Sequence, residues 1–460
     1  MLLLVSLSPP LLVFRALMSE ILFQYEQVHP TTWAYLSSLL VIALYFKFNR
    51  IWSVRNLDLL GLILLAPALL MVQYGLEHGA NGPPAKVVEH IGYIWLFAVS
   101  GLFMLRLLLD AFMVRRPLLE PNLSVGGLTF LGISIFVFLM ANVVTGTPDR
   151  ADLVGSQRAA DLRDRAVSPD ELSSLRTHGP GFPLIFLLPQ ISTQTLLGEG
   201  GQQETLIENG PGPQAESVRY VHVVTARVMA ILSQLGIVLG LVLVGMRHFD
   251  NTKTGIAAAT LYLLLPYTAM WTGSVTHALP GALLAWAIVM YRRPLLAGAM
   301  IGLAFGTIYY PVFLLPLWIS FYWQRGLWRF LIGALAMVAL LVLALAFTSS
   351  DAAMFWASLR QMFGLRVPVV DDLAGAWQFW NPIYRYPILA GHVGLSLSMA
   401  LWPAQKNLGT LISYSAAVVL GTQFWHAHSG GLALAWYLPL LLLTIFRPNL
   451  EDRTAPAVVK

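Results

Sequence analysis

The sequence predicts an all-α protein, a polytopic transmembrane helical bundle of about 12 to 13 spans with a large outer loop bearing amphipathic helices. Three observations lead there. Hydrophobic residues make up 57% of the 460 positions and charged residues only 11%, against about a quarter charged in a soluble globule. Apolar runs of roughly twenty residues recur between short basic turns, the length of a membrane-crossing helix and too long for the alternating strands of a barrel. Polar residues instead gather in one long stretch, Thr147 to Ser217. The formal charge of +5 is no nucleic-acid signal, because most Lys and Arg stand in the turns, where they set topology. There is no cysteine, which excludes disulfides, thiolate catalysis and cysteine-bound metals.

In chain order, residues 1–17 are apolar but lack the basic start and small-residue cleavage site of a signal peptide, and read as a short or truncated first helix. Spans are expected at 31–47, 57–75, 91–112, 124–145, 218–246, 254–272, 278–291, 295–309, 310–323, 328–347, 384–402, 407–424 and 431–446. The two short ones, 295–309 and 310–323, meet at Tyr309-Tyr310-Pro311 and read as a hairpin of half-length helices. Counting that hairpin as two crossings puts Lys47, Arg50, Arg55, Arg115, Arg116, Arg247, Lys253, Arg292, Arg293, Arg325, Arg329, Lys406, Arg447 and Arg453 on one side. That side is expected to be cytoplasmic and to hold the C-terminus, leaving loops 147–217 and 348–383 outside. In the second loop Phe355, Leu359, Met362 and Phe363 recur at helical spacing, the pattern of an amphipathic surface helix. Trp377, Phe379, Trp380, Tyr384 and Tyr386 follow as an interfacial aromatic belt.

Several segments stand in an order that resembles a known family. After the first loop comes His178-Gly-Pro-Gly-Phe-Pro-Leu, then Ala226-Arg227 opening a long helix, then a Gly-rich aliphatic helix that turns at Tyr310-Pro311 into Leu314-Leu315-Pro316, and finally Ala435-Trp-Tyr-Leu-Pro439. This series is similar to the GT-C superfamily of membrane glycosyltransferases, which use polyprenyl-phosphate-linked sugars. It covers about two-thirds of the chain, from about Asn142 onward, and each piece alone is common in membrane proteins. The resemblance divides the chain into N-terminal transmembrane helices over 1–123 that form an extra module, a GT-C-like core over 124–347, and the second outer loop with the C-terminal helices over 348–460. It implies a multi-pass protein of the bacterial inner membrane, with a polyprenyl-phosphate sugar as donor and a glycan, lipid or protein as acceptor. Two departures stand out. The acidic pair often seen early in the family's outer loop is here Asp149-Arg-Ala-Asp152, and His277 stands where related enzymes often have Asp or Asn.

Sugar transfer from a lipid phosphate needs a carboxylate to take the acceptor's proton and cations to hold the departing phosphate. Asp149, just beyond the span 124–145, and Asp152, one turn later, are the candidate catalytic carboxylates; the alternative is a helix-capping pair. Arg219, His222 and Arg227 fall on one broad arc of the span 218–246 and can grip phosphate or snorkel to lipid headgroups. His178, Tyr309, Tyr310, Arg360 and Arg385 complete the candidate substrate-binding set. No metal motif stands in the chain; a divalent cation, Mg²⁺ or Mn²⁺, would have to draw on Asp371, Asp372, His426 and His428. Arg106 and Asp110, four residues apart inside a span, are expected to pair internally. The rival readings are a transporter or flippase, which the broken helices and the intramembrane charge favour, and a non-catalytic membrane scaffold, which the departures favour.

Overall fold

A computed structural model describes residues 28–79, 82–113, 119–164, 181–208, 215–362, 373–427, 430–450 and 452–455. The chain is an all-α bundle. Its helices are α1 (Pro30–Tyr45), α2 (Val54–His78), α3 (Pro83–Leu108), α4 (Val125–Thr145), α5 (Arg150–Asp164), α6 (Gly181–Leu197), α7 (Tyr220–Arg247), α8 (Thr252–Leu264) and α9 (Pro266–Met270). There follow α10 (Val275–Val289), α11 (Pro294–Thr307), α12 (Leu315–Tyr322), α13 (Leu327–Thr348), α14 (Ala352–Met362), α15 (Arg385–Leu401), α16 (Leu408–Thr422) and α17 (Leu438–Phe446). Five helical stretches, α2, α3 with its continuation to Phe112, α4, α7 and α13, are long and apolar enough to cross a membrane, which makes this a membrane protein.

The helix starts follow local rules. Ser53, Ser124 and Asn251 cap α2, α4 and α8 by accepting the backbone N–H three residues on, and Asn407 with Thr410 forms a reciprocal capping box on α16. The expected span 254–272 is in fact broken between α8 and α9, because Pro266 has no N–H to give the carbonyl of Tyr262. The Thr268 hydroxyl takes that carbonyl instead at 2.6 Å. The half-length hairpin is present: the Tyr322 hydroxyl donates to the Tyr291 carbonyl at 2.5 Å, so the chain that leaves along α11 returns along α12 to the same end. Between α11 and α13 the backbones touch. A Cβ at Gly298 or Gly333 would run into the carbonyl of Phe330 or Leu295, so that crossing admits only glycine.

Two features depart from the sequence reading. Residues 204–208 and 215–219 pair as an antiparallel hairpin, β1 and β2, with Glu204 opposite Arg219, so α7 begins at Tyr220 rather than 218. Within the first loop, Gly181–Leu197 is a continuous 17-residue helix, α6, with Pro189 inside it. Helix α5 docks firmly on α6 and α7. Its inward stripe is Asp152, Gly155, Ser156, Ala159 and Ala160, small residues that let the rings of Phe182 and Phe186 pack against it. The amphipathic helix of the second loop is present as α14, and Met354, wholly buried, packs in the cluster of Leu341 and Leu345 from α13.

Candidate functional site

The site begins where α4 stops. Gly146 follows Thr145 in extended backbone, Pro148 cannot continue the helix ladder, and Asp149 starts α5. Its carbonyl accepts from Asp152 and Leu153 at 3.0 and 3.1 Å, and its Oδ1 accepts the Ala151 N–H at 3.3 Å. That is the N-cap arrangement. The second oxygen, Oδ2, accepts the Ser274 hydroxyl at 2.9 Å. Ser274 is also within 2.9 Å of the Thr276 hydroxyl, so the start of α10 is tied to the start of α5.

Asp152 meets the same helix end in a different setting. It is wholly buried, and its Oδ2 accepts the Val275 N–H, one of the orphan donors of the first turn of α10, at 2.7 Å. Burial, followed by the nearby charge of Asp149, pushes its carboxyl well above the usual carboxylate range. The expected acidic pair is therefore split by environment: Asp149 is half-exposed and Asp152 is enclosed.

Asp149 opens onto a cavity of about 670 Å³. Arg227, about two turns into α7, lines the same cavity, as do Asn142 of α4, Gln73 of α2 and Trp33 of α1. Asp149 and Arg227 do not pair with each other: Nη2 of Arg227 donates to the Gly146 carbonyl at 2.9 Å, while Asp149 is held by Ala151 and Ser274. Each carboxylate oxygen retains a further acceptor position. A smaller apolar pocket of about 130 Å³ adjoins the cavity and shares Gln73, Met270 and Trp271 with it; Leu69, Val72, Leu76 and Leu432 complete its wall.

The other predicted residues are dispersed. Arg219 ends β2 and stands exposed, so it does not belong to an arc of α7. His222 is on α7 but turns away from the cavity, its Nδ1 lying 3.1 Å from the Ser156 hydroxyl of α5. Tyr310 packs among Trp425, His426 and Trp436, with ring centroids 5.4, 4.9 and 5.3 Å away, and neither it nor Tyr309 lines the cavity. Trp436 joins that cluster to the site, because its Nε1 donates to the Thr276 carbonyl at 2.9 Å. Arg385 is buried, donating from Nε to the Trp425 carbonyl at 3.1 Å, and Arg360 is exposed on α14. His178, Asp371, Asp372 and His428 lie outside the described residues. Among the described residues no three His, Asp or Glu side chains gather as a metal site. His277 is engaged, with Nδ1 2.5 Å from the Tyr267 hydroxyl and its ring stacked on Trp271 at 4.4 Å.

The chain matches no protein-family model, and no curated protein or solved structure shows significant similarity to it. Sequence reasoning missed the start of α10. Its signal was Gly273-Ser274-Val-Thr276, a small-residue turn with a capping hydroxyl ahead of an apolar run.

Proposed function

We propose that the protein is a membrane glycosyltransferase that moves a sugar from a polyprenyl-phosphate donor to a glycan, lipid or protein acceptor on the outer face of the membrane, here a bacterial inner membrane with the C-terminus cytoplasmic. The observation that carries this reading is the presence of Asp149 and Arg227 on one cavity, unpaired with each other. A carboxylate and a guanidinium that share a cavity without neutralising one another remain available to a ligand that carries both a hydroxyl and a phosphate. The apolar pocket beside the cavity adds a place for the lipid end of an amphiphile.

In this reading Asp149 accepts the proton of the acceptor hydroxyl as its oxygen attacks the anomeric carbon. The bond from that carbon to the phosphate oxygen breaks with its electron pair, and polyprenyl phosphate departs with its new charge beside Arg227. The proton ends on Asp149. Ser274 and the Ala151 N–H orient the carboxylate, and the docking of α5 through Asp152 fixes the distance between α5 and α10.

The deciding experiment is transfer of radiolabelled sugar from a polyprenyl-phosphate donor by the purified protein in detergent or liposomes. Turnover supports the reading. Binding of the donor lipid without turnover, across hydroxyl acceptors, would favour the scaffold alternative. The reaction side is tested separately: a cysteine placed at Gly210 in this cysteine-free chain is expected to react with an impermeant maleimide in intact cells, and labelling only after permeabilisation reverses the orientation.

A further inference from the structure

Part of the cavity wall is built by the N-terminal module, the part of the chain outside the GT-C resemblance. Val28, His29, Pro30 and Trp33, at the start of α1, and Gln73 on α2 line it, and the Trp33 ring stacks on Phe138 of α4 with centroids 5.5 Å apart, which holds α1 against the core. Buried polar atoms in folded proteins nearly always have a partner. Among the described residues around this cavity five do not: Trp33 Nε1, Gln73 Oε1, Asn142 Oδ1, Arg227 Nε and Trp271 Nε1 are each buried without a hydrogen bond. Trp33 is only 8% exposed, and the Gln73 amide is oriented by its own Nε2, which donates to Glu77 at 2.8 Å. Four of the atoms come from α1, α2, α4 and α7, and the fifth belongs to Trp271, just past α9. Four of them, two indole donors and two amide acceptors, are neutral.

We infer that the N-terminal module supplies the sugar-reading wall of the cavity, with Trp33 and Gln73, assisted by Asn142, hydrogen-bonding the hydroxyls of the transferred sugar while Arg227 holds the phosphate. A neutral set of donors and acceptors suits a polyol, whose hydroxyls both give and accept, and Arg227, the cation among these unpartnered groups, marks the anionic end of the ligand. The inference rests on the glycosyltransferase reading. It adds that the extra helices determine which sugar is used.

The test compares binding of farnesyl phosphate with binding of farnesyl-phosphoryl mannose and farnesyl-phosphoryl glucose to the full chain in detergent. Wild type is expected to bind at least one sugar-bearing lipid more tightly than the bare phosphate. Trp33→Phe, which keeps the stacking on Phe138 and deletes the N–H, and Gln73→Leu are each expected to weaken the sugar-bearing lipid about tenfold. Farnesyl phosphate should bind Trp33→Phe as it binds wild type, which also shows that this variant folds; Gln73 also borders the apolar pocket, so Gln73→Leu is judged by the ratio of its affinities for the sugar-bearing lipid and the bare phosphate, which should fall about tenfold. Equal loss for both lipids, or unchanged affinity for both, overturns the assignment of Trp33 and Gln73 and leaves the phosphate reading intact. Failure of wild type to bind any of the three lipids defeats the functional reading itself.

Discussion

The bundle places charged groups at both ends and treats them in opposite ways. At the end of the basic turns, Arg106 of α3 donates to Asp58 of α2 at 2.9 Å and to Asp110 at 2.8 Å, and Arg447, just past α17, closes on Asp110 from the other side. This is the internal pair expected for Arg106 and Asp110, enlarged by a partner from each flank. Two carboxylates meet two guanidiniums. At the loop end Asp149 and Arg227 share a cavity and do not meet, and polar atoms around them are unpartnered. A paired cluster ties α2, α3 and the C-terminal segment together, whereas groups kept apart across a cavity remain available to a ligand. The comparison also weighs on the transporter alternative, since the intramembrane charge that suggested it is satisfied by structure.

The sharpest way to break this comparison is at its most open charge. Asp149→Asn keeps the shape and the capping acceptor and removes the proton acceptor, so turnover should fall by about 10²–10⁴-fold with the protein still folded. Loss in Asp152→Asn with activity preserved in Asp149→Asn would transfer the catalytic role to the buried carboxyl. At the paired end the expected damage is to stability. Arg447→Ala strands Asp110 without its second cation and should cost about 3–5 kcal/mol in unfolding free energy, the range for breaking a buried ion pair from one side. Denaturant unfolding in detergent measures it. Wild-type stability in that variant would mean that the network is ornamental.

Much of the fold was legible because the membrane imposes length and hydropathy on each span. The ends of α4, α13 and α16 fall within a few residues of expectation, whereas α3 begins eight residues before its expected start at 91, and the hairpin was visible from two short spans meeting at Tyr309-Tyr310-Pro311, with charge alternation as support. The first loop was less legible. Its two strands, Glu-Thr-Leu-Ile-Glu and Ala-Glu-Ser-Val-Arg, are too short to stand out beside twenty-residue spans. Of the candidate site residues, Asp149 was singled out because it stands next to a span end and Arg227 because it lies in the first turns of a long span; that both line one cavity was visible only in the structure. Separating Asp149 from Asp152 was beyond sequence reasoning. One turn of helix apart, they differ only through the packing of α5 on α10, a contact across 123 residues of chain. His222 was misplaced for the same reason, since helical arc gives direction but not which neighbour fills it.

A smaller effect is expected from the cation across the cavity. Arg227→Ala removes a charge held by one backbone carbonyl, so the helix should persist and the loss should appear in donor affinity. A charged hydrogen bond is worth about 1.5–3 kcal/mol, or roughly 10- to 150-fold in Kd. Lysine at that position should restore part of it. A change in turnover at saturating donor with Kd unaltered would instead place Arg227 at the acceptor.

The mildest prediction concerns Asp152. Its carboxyl is raised on folding, by burial first and then by the charge of Asp149, and the sign of the consequence follows from linkage. A raised carboxyl favours the folded state fully at pH below its ordinary value of about 4, and that contribution is lost as pH climbs through the raised folded value. Wild type should therefore lose apparent stability over that rising interval. Asp152→Asn still offers an oxygen to the Val275 N–H and has no proton to release, so this part of the pH dependence should vanish and the variant should be at least as stable as wild type at neutral pH. Thermal unfolding of both proteins across the acidic and neutral range checks it. A variant markedly less stable than wild type at neutral pH would show that Asp152 is held as a carboxylate by the first turn of α10 in spite of its burial, and the two acidic residues would then form one charged site.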